Sequence, residues 1–175
     1  MNLPGEAYLF NLSVLAVTVA VVSALVMLVR QTMGGKLSNF DVYLISAYVS
    51  LGFVIAVGAV LPPLVSLFEP SPRVMWAVAS GLAAVFLAAV MVNLVAARRR
   101  ASNAPISHAL VFIFAMHWLA AALLAANAVV PQLQGTGLHA AALTVSMVML
   151  MLAFVRRIAS LLGDKPSDDW DPKRG

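Results

Sequence analysis

The chain has 175 residues, of which 62% are hydrophobic and 10% are charged. Soluble domains carry about 25% charged residues, so this composition argues against a solvated fold and indicates a surface that faces lipid. The absence of cysteine excludes disulfides, thiolate metal sites and thioether-linked haem. The net charge of +4 does not indicate nucleic-acid binding, because the basic residues stand at the ends of apolar stretches.

Four stretches contain no charged residue, and they cover residues 7–29, 42–68, 74–97 and 101–155. A helix needs about 20 apolar residues to cross a hydrocarbon core, so each of the first three stretches crosses once. The last is long enough for two crossings and has a polar break at 131–137. The sequence therefore predicts an all-α bundle of five transmembrane helices, placed at about 7–29, 42–61, 74–96, 106–130 and 138–157.

Small residues recur at every fourth position of two predicted helices. They are Ala16, Ala20 and Ala24 in the first helix, and Ser80, Ala84 and Ala88 in the third. Rows of this kind let helix backbones approach closely in lipid, so they predict packing surfaces, within the bundle or between subunits.

Prolines and glycines mark the predicted helix ends. Pro62 and Pro63 are expected to end or kink the second helix, because proline lacks a backbone donor. Ser71 followed by Pro72 is a start signal for the third helix. The polar segment 163–175 predicts a disordered tail after the last helix.

The lysines and arginines predict the orientation. With the N-terminus outside, ten of them fall on the cytoplasmic side and one, Arg73, falls outside. The positive-inside rule therefore predicts an outer N-terminus and a cytoplasmic C-terminus, in a cell membrane that we expect to be a bacterial inner membrane. A basic inner rim predicts contacts with anionic lipids, and it consists of Arg98, Arg99, Arg100, Arg156 and Arg157.

Carboxylates are missing from the predicted membrane interior. Glu6, Asp41 and Glu69 all lie near helix ends. A proton relay through buried acids and a hydrolytic site thus have no evident residue, and we do not expect an enzyme.

His117 is the one ionisable side chain near the middle of a predicted span. Ala120 and Ala121 share its face, which indicates that this face packs against protein. An intramembrane ionisable residue indicates a functional site by default, but a neutral histidine that joins two helices by a hydrogen bond is the alternative.

The histidines and methionines are the candidate ligands for haem or copper. His108 lies on the opposite side of its helix from His117, and His139 falls at the predicted outer interface, so no haem-ligating pair forms within one chain. Met147 and Met151 stand one turn apart and would suit copper, yet methionine is also a common core filler. No cofactor or metal site is predicted.

Neutral polar residues complete the set of candidates. Together with His117, the pore-lining candidates are Asn11, Thr18, Ser46, Ser50 and Asn127. These side chains either line a wet path at a subunit interface or cross-link helices.

The leading hypothesis is an oligomeric channel or small transporter for ions or small solutes, with membrane lipids and copies of itself as partners. The alternative is a non-catalytic accessory or assembly subunit whose polar residues only join helices. A membrane haem or copper protein is a third hypothesis, which the lack of paired ligands disfavours.

Overall fold

A computed structural model describes residues 5–32, 39–101 and 107–163. These residues form five helices, which are α1 (Glu6–Thr32), α2 (Asn39–Ser66), α3 (Pro72–Ala101), α4 (His108–Val129) and α5 (Thr136–Gly163). Each is long and apolar enough to cross a membrane, so the predicted all-α fold is confirmed, with five helices of sufficient length and apolarity to span. Apart from Gly163 at the end of α5, the predicted tail lies outside the described residues.

Four of the helices form a ring. Each of α2, α3, α4 and α5 packs against its neighbour in sequence, and contacts between α2 and α5 close the ring. Helix α1 lies outside the ring against α2 and, over a smaller surface, against α5. There the hydroxyls of Tyr8 and Thr144 hydrogen bond at 2.5 Å. We call the end of the ring that carries Arg98 and Arg157 the basic end, and the end with the α2–α3 and α4–α5 connections the opposite end.

Local signals account for most helix boundaries. The hydroxyl of Ser71 accepts a hydrogen bond from the amide of Val74 at 3.4 Å, so α3 begins where the Ser-Pro pair predicts. Ser107 caps α4 in the same way. Helix α2, however, continues through Pro62 and Pro63 to Ser66. At Pro62 a side chain of α5 supplies the hydrogen-bond donor that the proline lacks.

Part of the first small-residue row is a packing surface. Ala16 and Ala20 are buried against α2, whereas Ala24 is exposed. A Cβ added to Gly52 would lie 2.8 Å from the Cβ of Ala20 and 2.9 Å from the carbonyl oxygen of Ala16. Both distances are too short for a real contact, so the absence of a side chain at Gly52 sets the spacing of α1 and α2.

We expect Gly52→Ala to lower the free energy of unfolding by about 1–3 kcal/mol, because α1 and α2 must separate to admit the methyl group. Gly81→Ala is the matched control, since its Cβ would meet only Ala128, at 3.7 Å. This control should be neutral or slightly stabilising, because alanine favours helix. Reversible unfolding in bicelles measures both. Equal stability of the two variants would show that the close approach is not needed.

Candidate functional site

A buried hydrogen-bond network joins the four ring helices at the opposite end. Asn127 Nδ2 donates to Ser80 Oγ at 2.7 Å, and Ser80 Oγ lies 2.9 Å from His139 Nδ1. His139 Nε2 lies 3.0 Å from the carbonyl oxygen of Gly58, and Asn127 Oδ1 accepts from the amide of Gly135 at 3.0 Å. Ser80, Asn127 and His139 are fully buried. One chain of hydrogen bonds therefore crosses from α2 to the α4–α5 connection.

The geometry assigns the protons in this network. Nε2 of His139 faces a carbonyl oxygen, which can only accept, so Nε2 carries the proton. Burial disfavours a charged ring, and in the neutral form Nδ1 is an acceptor to which the hydroxyl of Ser80 donates. Both nitrogens of this neutral imidazole are satisfied, and every bond in the chain has one donor and one acceptor.

Pro62 explains why Gly58 needs a donor from another helix. In an α-helix the carbonyl of Gly58 would accept from the amide of residue 62, but proline has no N–H. His139 supplies the missing donor from α5. A buried carbonyl without a donor would be costly, and this contact satisfies the carbonyl of Gly58 where α2 continues through Pro62.

A cavity of about 330 Å³ lies inside the ring at the basic end. Its wall reaches Leu51 on α2, His117 on α4 and Leu150 on α5. Between this level and the network, the ring contains buried side chains of the described residues that include Ile55, Leu87, Leu124, Leu143 and Met147. The lining of the cavity therefore extends from the basic end to about the level of His117.

His117 lines the cavity and is fully buried. Its Nδ1 lies 2.8 Å from the carbonyl oxygen of Ile113, one turn earlier on α4, so Nδ1 carries the proton of a neutral ring. Nε2 is then an acceptor, and it has no hydrogen-bond partner among the described residues. A buried acceptor without a partner is uncommon. No surface of His117 is accessible from the cavity, so the candidate ligand site is the accessible part of the cavity nearer the basic end.

Charged and aromatic side chains surround the mouth of the cavity. The carboxylate of Asp41 forms a salt bridge with Arg157, and Asp41 is buried although it lies in the first turn of α2. The guanidinium groups of Arg98 and Arg157 lie 5.2 Å and 6.0 Å from the ring centroid of Phe40. Tyr43 stacks on the same ring, with centroids 5.8 Å apart. The mouth is thus an aromatic and basic rim.

The six pore-lining candidates do not lie together along one path within a single chain. Asn11, Thr18 and Ser46 are exposed on the outer surface, and the hydroxyl of Thr18 bonds to its own helix. Ser50 is partly buried, and Asn127 belongs to the network. Only His117 of the six borders the cavity. A path that uses the exposed residues would have to form between subunits, and it stays a prediction.

The five arginines of the predicted lipid-binding rim occupy different environments. Arg99, Arg100 and Arg156 are exposed. Arg98 is buried, and Arg157 is partly buried and paired with Asp41. Contact with anionic lipids therefore stays a prediction that suits the three exposed arginines best.

The histidines and methionines that are candidate ligands for haem or copper lie far apart in the structure. His108 is exposed, His117 and His139 belong to different sites, and Met151 is exposed while Met147 is buried. Among the described residues no group of three histidine or acidic side chains could hold a metal ion.

Sequence reasoning missed the role of His139. It assigned this residue to the interface, where no partner was visible, and it treated Ser80 only as a small packing residue. A usable signal did exist, because Pro62 leaves a carbonyl without a donor inside a long apolar stretch. The sequence does not say which helix would supply that donor.

No protein-family model, curated protein or solved structure matches the chain. The fold and the two buried polar sites therefore carry the functional argument. Five helices long and apolar enough to cross a membrane make up nearly all of the described residues, which is the architecture of a multi-pass membrane protein.

Proposed function

We propose that the protein is a membrane carrier for a small solute and that the basic-end cavity is its solute site. The observation that carries this proposal is the one-sided position of the cavity, whose lining extends from the basic end only as far as His117. A carrier needs a site that is reached from one side at a time, whereas a channel needs a continuous path. A packed core and a hydrogen-bond network fill the ring beyond the cavity.

The predicted orientation places this site on the cytoplasmic side. The basic end would face the cytoplasm, since ten of the eleven lysines and arginines fall there in the N-out arrangement. Transport then requires that the basic end closes and the network end opens. The network consists of a few hydrogen bonds, which in membranes average about 0.6 kcal/mol each, so its opening is not prohibitive.

Accessibility of single cysteines tests the carrier, because the chain contains no natural cysteine. Ala47→Cys places a thiol in the cavity wall, and Ala142→Cys places one in the buried core of α5 as a control. We expect a membrane-impermeant thiol reagent to label Ala47→Cys quickly from the basic end. It should also label this variant slowly from the opposite end, because the other state is a minor one, at roughly 0.1–10% of the population. Ala142→Cys should resist the reagent from the basic end.

The experiment uses vesicles of known orientation, with the reagent added to one side only. Equal, fast labelling of Ala47→Cys from both sides would mean a channel. Labelling from the basic end alone would mean a binding site without transport. Either result would contradict the carrier.

An accessory or assembly subunit remains a second candidate because of one observation. Ser80, Asn127 and His139, all buried, bond only to other parts of the same chain, as an inert cross-link would. On this proposal the cavity has no aqueous access, and Ala47→Cys should resist the reagent from both sides. Assembly into a homo-oligomer, which either function allows, is measured on the same samples by the mass of the purified complex.

A further inference from the structure

The accessible part of the basic-end cavity has a largely apolar wall. Five apolar side chains of this wall are partly exposed, and they are Phe40, Leu44, Leu110, Phe114 and Ala153. Tyr48 also lines the cavity, but its hydroxyl is already used, since it donates to the carbonyl oxygen of Ala153 at 3.0 Å. The part of a solute that lies against this wall must therefore be apolar, because polar groups there would lose their hydration without finding partners.

Positive charge exceeds negative charge at the mouth of this cavity. Arg156 and Arg157 line the cavity. The guanidinium of Arg98 lies 5.2 Å from the ring centroid of Phe40, which also lines it. Among the described residues, Asp41 supplies the one carboxylate in this cluster, through its salt bridge with Arg157. Three guanidinium groups and one carboxylate leave net positive charge whatever the pairing between them, and this favours an anionic group at the mouth.

The positive-inside rule does not account for all of these arginines. The rule needs only positive charge on the predicted cytoplasmic side, which the exposed Arg99 and Arg100 already provide. Arg98 is buried instead, and Arg157 is partly buried beside Asp41. Burial removes hydration from a guanidinium, so these two positions cost more than exposed ones would. A guanidinium fixed beside an accessible apolar wall is suited to bind an anion that is itself partly apolar.

Taking the cavity as the solute site of the proposed carrier, we propose that the solute is an organic anion with an apolar body. The anionic group lies at Arg156 and Arg157, and the body covers the partly exposed apolar wall that α2, α4 and α5 form. A carboxylate or a sulfonate would supply the charge equally well. Binding involves no covalent step, so the solute enters and leaves unchanged.

Equilibrium binding of three probes with one apolar body and different charges tests this inference. They are para-tert-butylbenzoate, the neutral para-tert-butylbenzyl alcohol and the cationic para-tert-butylbenzylammonium. The full chain is placed in nanodiscs of zwitterionic lipid, and empty nanodiscs correct for partition into lipid. We expect the benzoate to bind about tenfold more tightly than the alcohol, and the ammonium to bind more weakly than the alcohol. Equal affinities of the benzoate and the alcohol, or no binding of the benzoate, would overturn the inference without the use of any variant.

Variants then locate the two parts of the probe. Arg156→Gln should weaken the benzoate by about fivefold and leave the alcohol unchanged, since it removes a charge that lines the cavity. Arg99→Gln is the matched control, because it removes an exposed charge at the same end that does not line the cavity, and it should change neither affinity. Leu44→Ala removes part of the apolar wall and should weaken both probes alike, by about fivefold. Equal losses of benzoate affinity in Arg156→Gln and Arg99→Gln, or unchanged affinities in Leu44→Ala, would overturn the proposed placement.

Competition distinguishes a free organic anion from an anionic membrane lipid, since both combine negative charge with an apolar body. Phosphatidylglycerol is added to the nanodiscs for this purpose. We expect it to displace little of the benzoate, and full displacement would mean that the cavity holds a membrane lipid, which contradicts the inference. Binding is measured without transport. Cysteine labelling from the basic end alone, with the preference for the benzoate intact, would therefore contradict only the carrier, and two-sided labelling without this preference would contradict only the anionic solute.

Discussion

Replacing His139 with leucine is expected to lower the free energy of unfolding by about 2–3 kcal/mol. The substitution removes two hydrogen bonds, from Nε2 to the carbonyl of Gly58 and from the hydroxyl of Ser80 to Nδ1. Hydrogen bonds between membrane helices are worth about 0.6 kcal/mol on average, but here both former partners stay buried, and an unsatisfied buried group adds about 1–3 kcal/mol. Reversible unfolding in bicelles measures the change.

A double-mutant cycle with Pro62 separates the bond to Gly58 from the rest of the network. Pro62→Ala restores the amide that can donate to the carbonyl of Gly58 within α2. In that background, His139→Leu should cost about 1 kcal/mol less than it does in the natural chain, because the restored amide still donates to the carbonyl. If the cost is the same in both backgrounds, His139 does not act by replacing the donor that Pro62 lacks.

The second large effect is expected at the salt bridge between Asp41 and Arg157. Asp41→Asn keeps the shape of the side chain and removes its charge, which leaves the guanidinium of Arg157 beside Phe40 without its carboxylate. Breaking a buried ion pair costs about 3–5 kcal/mol. Because the side chain of Arg157 is 23% exposed, water compensates part of that loss, and we expect a destabilisation of about 2 kcal/mol.

Two further variants complete this measurement. Glu69→Gln removes an exposed carboxylate at the opposite end and should leave stability unchanged. The double variant Asp41→Leu with Arg157→Met replaces the pair by apolar side chains and should recover most of the loss. A stable Asp41→Asn protein would show that the pair contributes nothing to folding.

Helix number and fold class could be predicted from the sequence because they depend on local quantities. The thickness of the hydrocarbon core sets the length of each span, and lipid forces every backbone amide to be satisfied within its helix. The burial of His117 was also predictable, since its small neighbours Ala120 and Ala121 indicated a packed face, and both are buried in the structure. The start of α3 follows from Ser71 and Pro72 in the same local way.

The partners within the ring could not be predicted. His139 meets a carbonyl 81 residues away and a hydroxyl 59 residues away, and only the arrangement of α2, α3 and α5 brings the three together. The position of each residue along its helix could be estimated, but the helix that each buried face meets could not. In a soluble protein the polar face of a helix reveals which side is buried, whereas a spanning helix is apolar all round. The sequence by itself therefore determined five helices long and apolar enough to span a membrane and a buried histidine, while the tertiary structure alone decided that one end of the ring is closed by hydrogen bonds and the other contains a cavity.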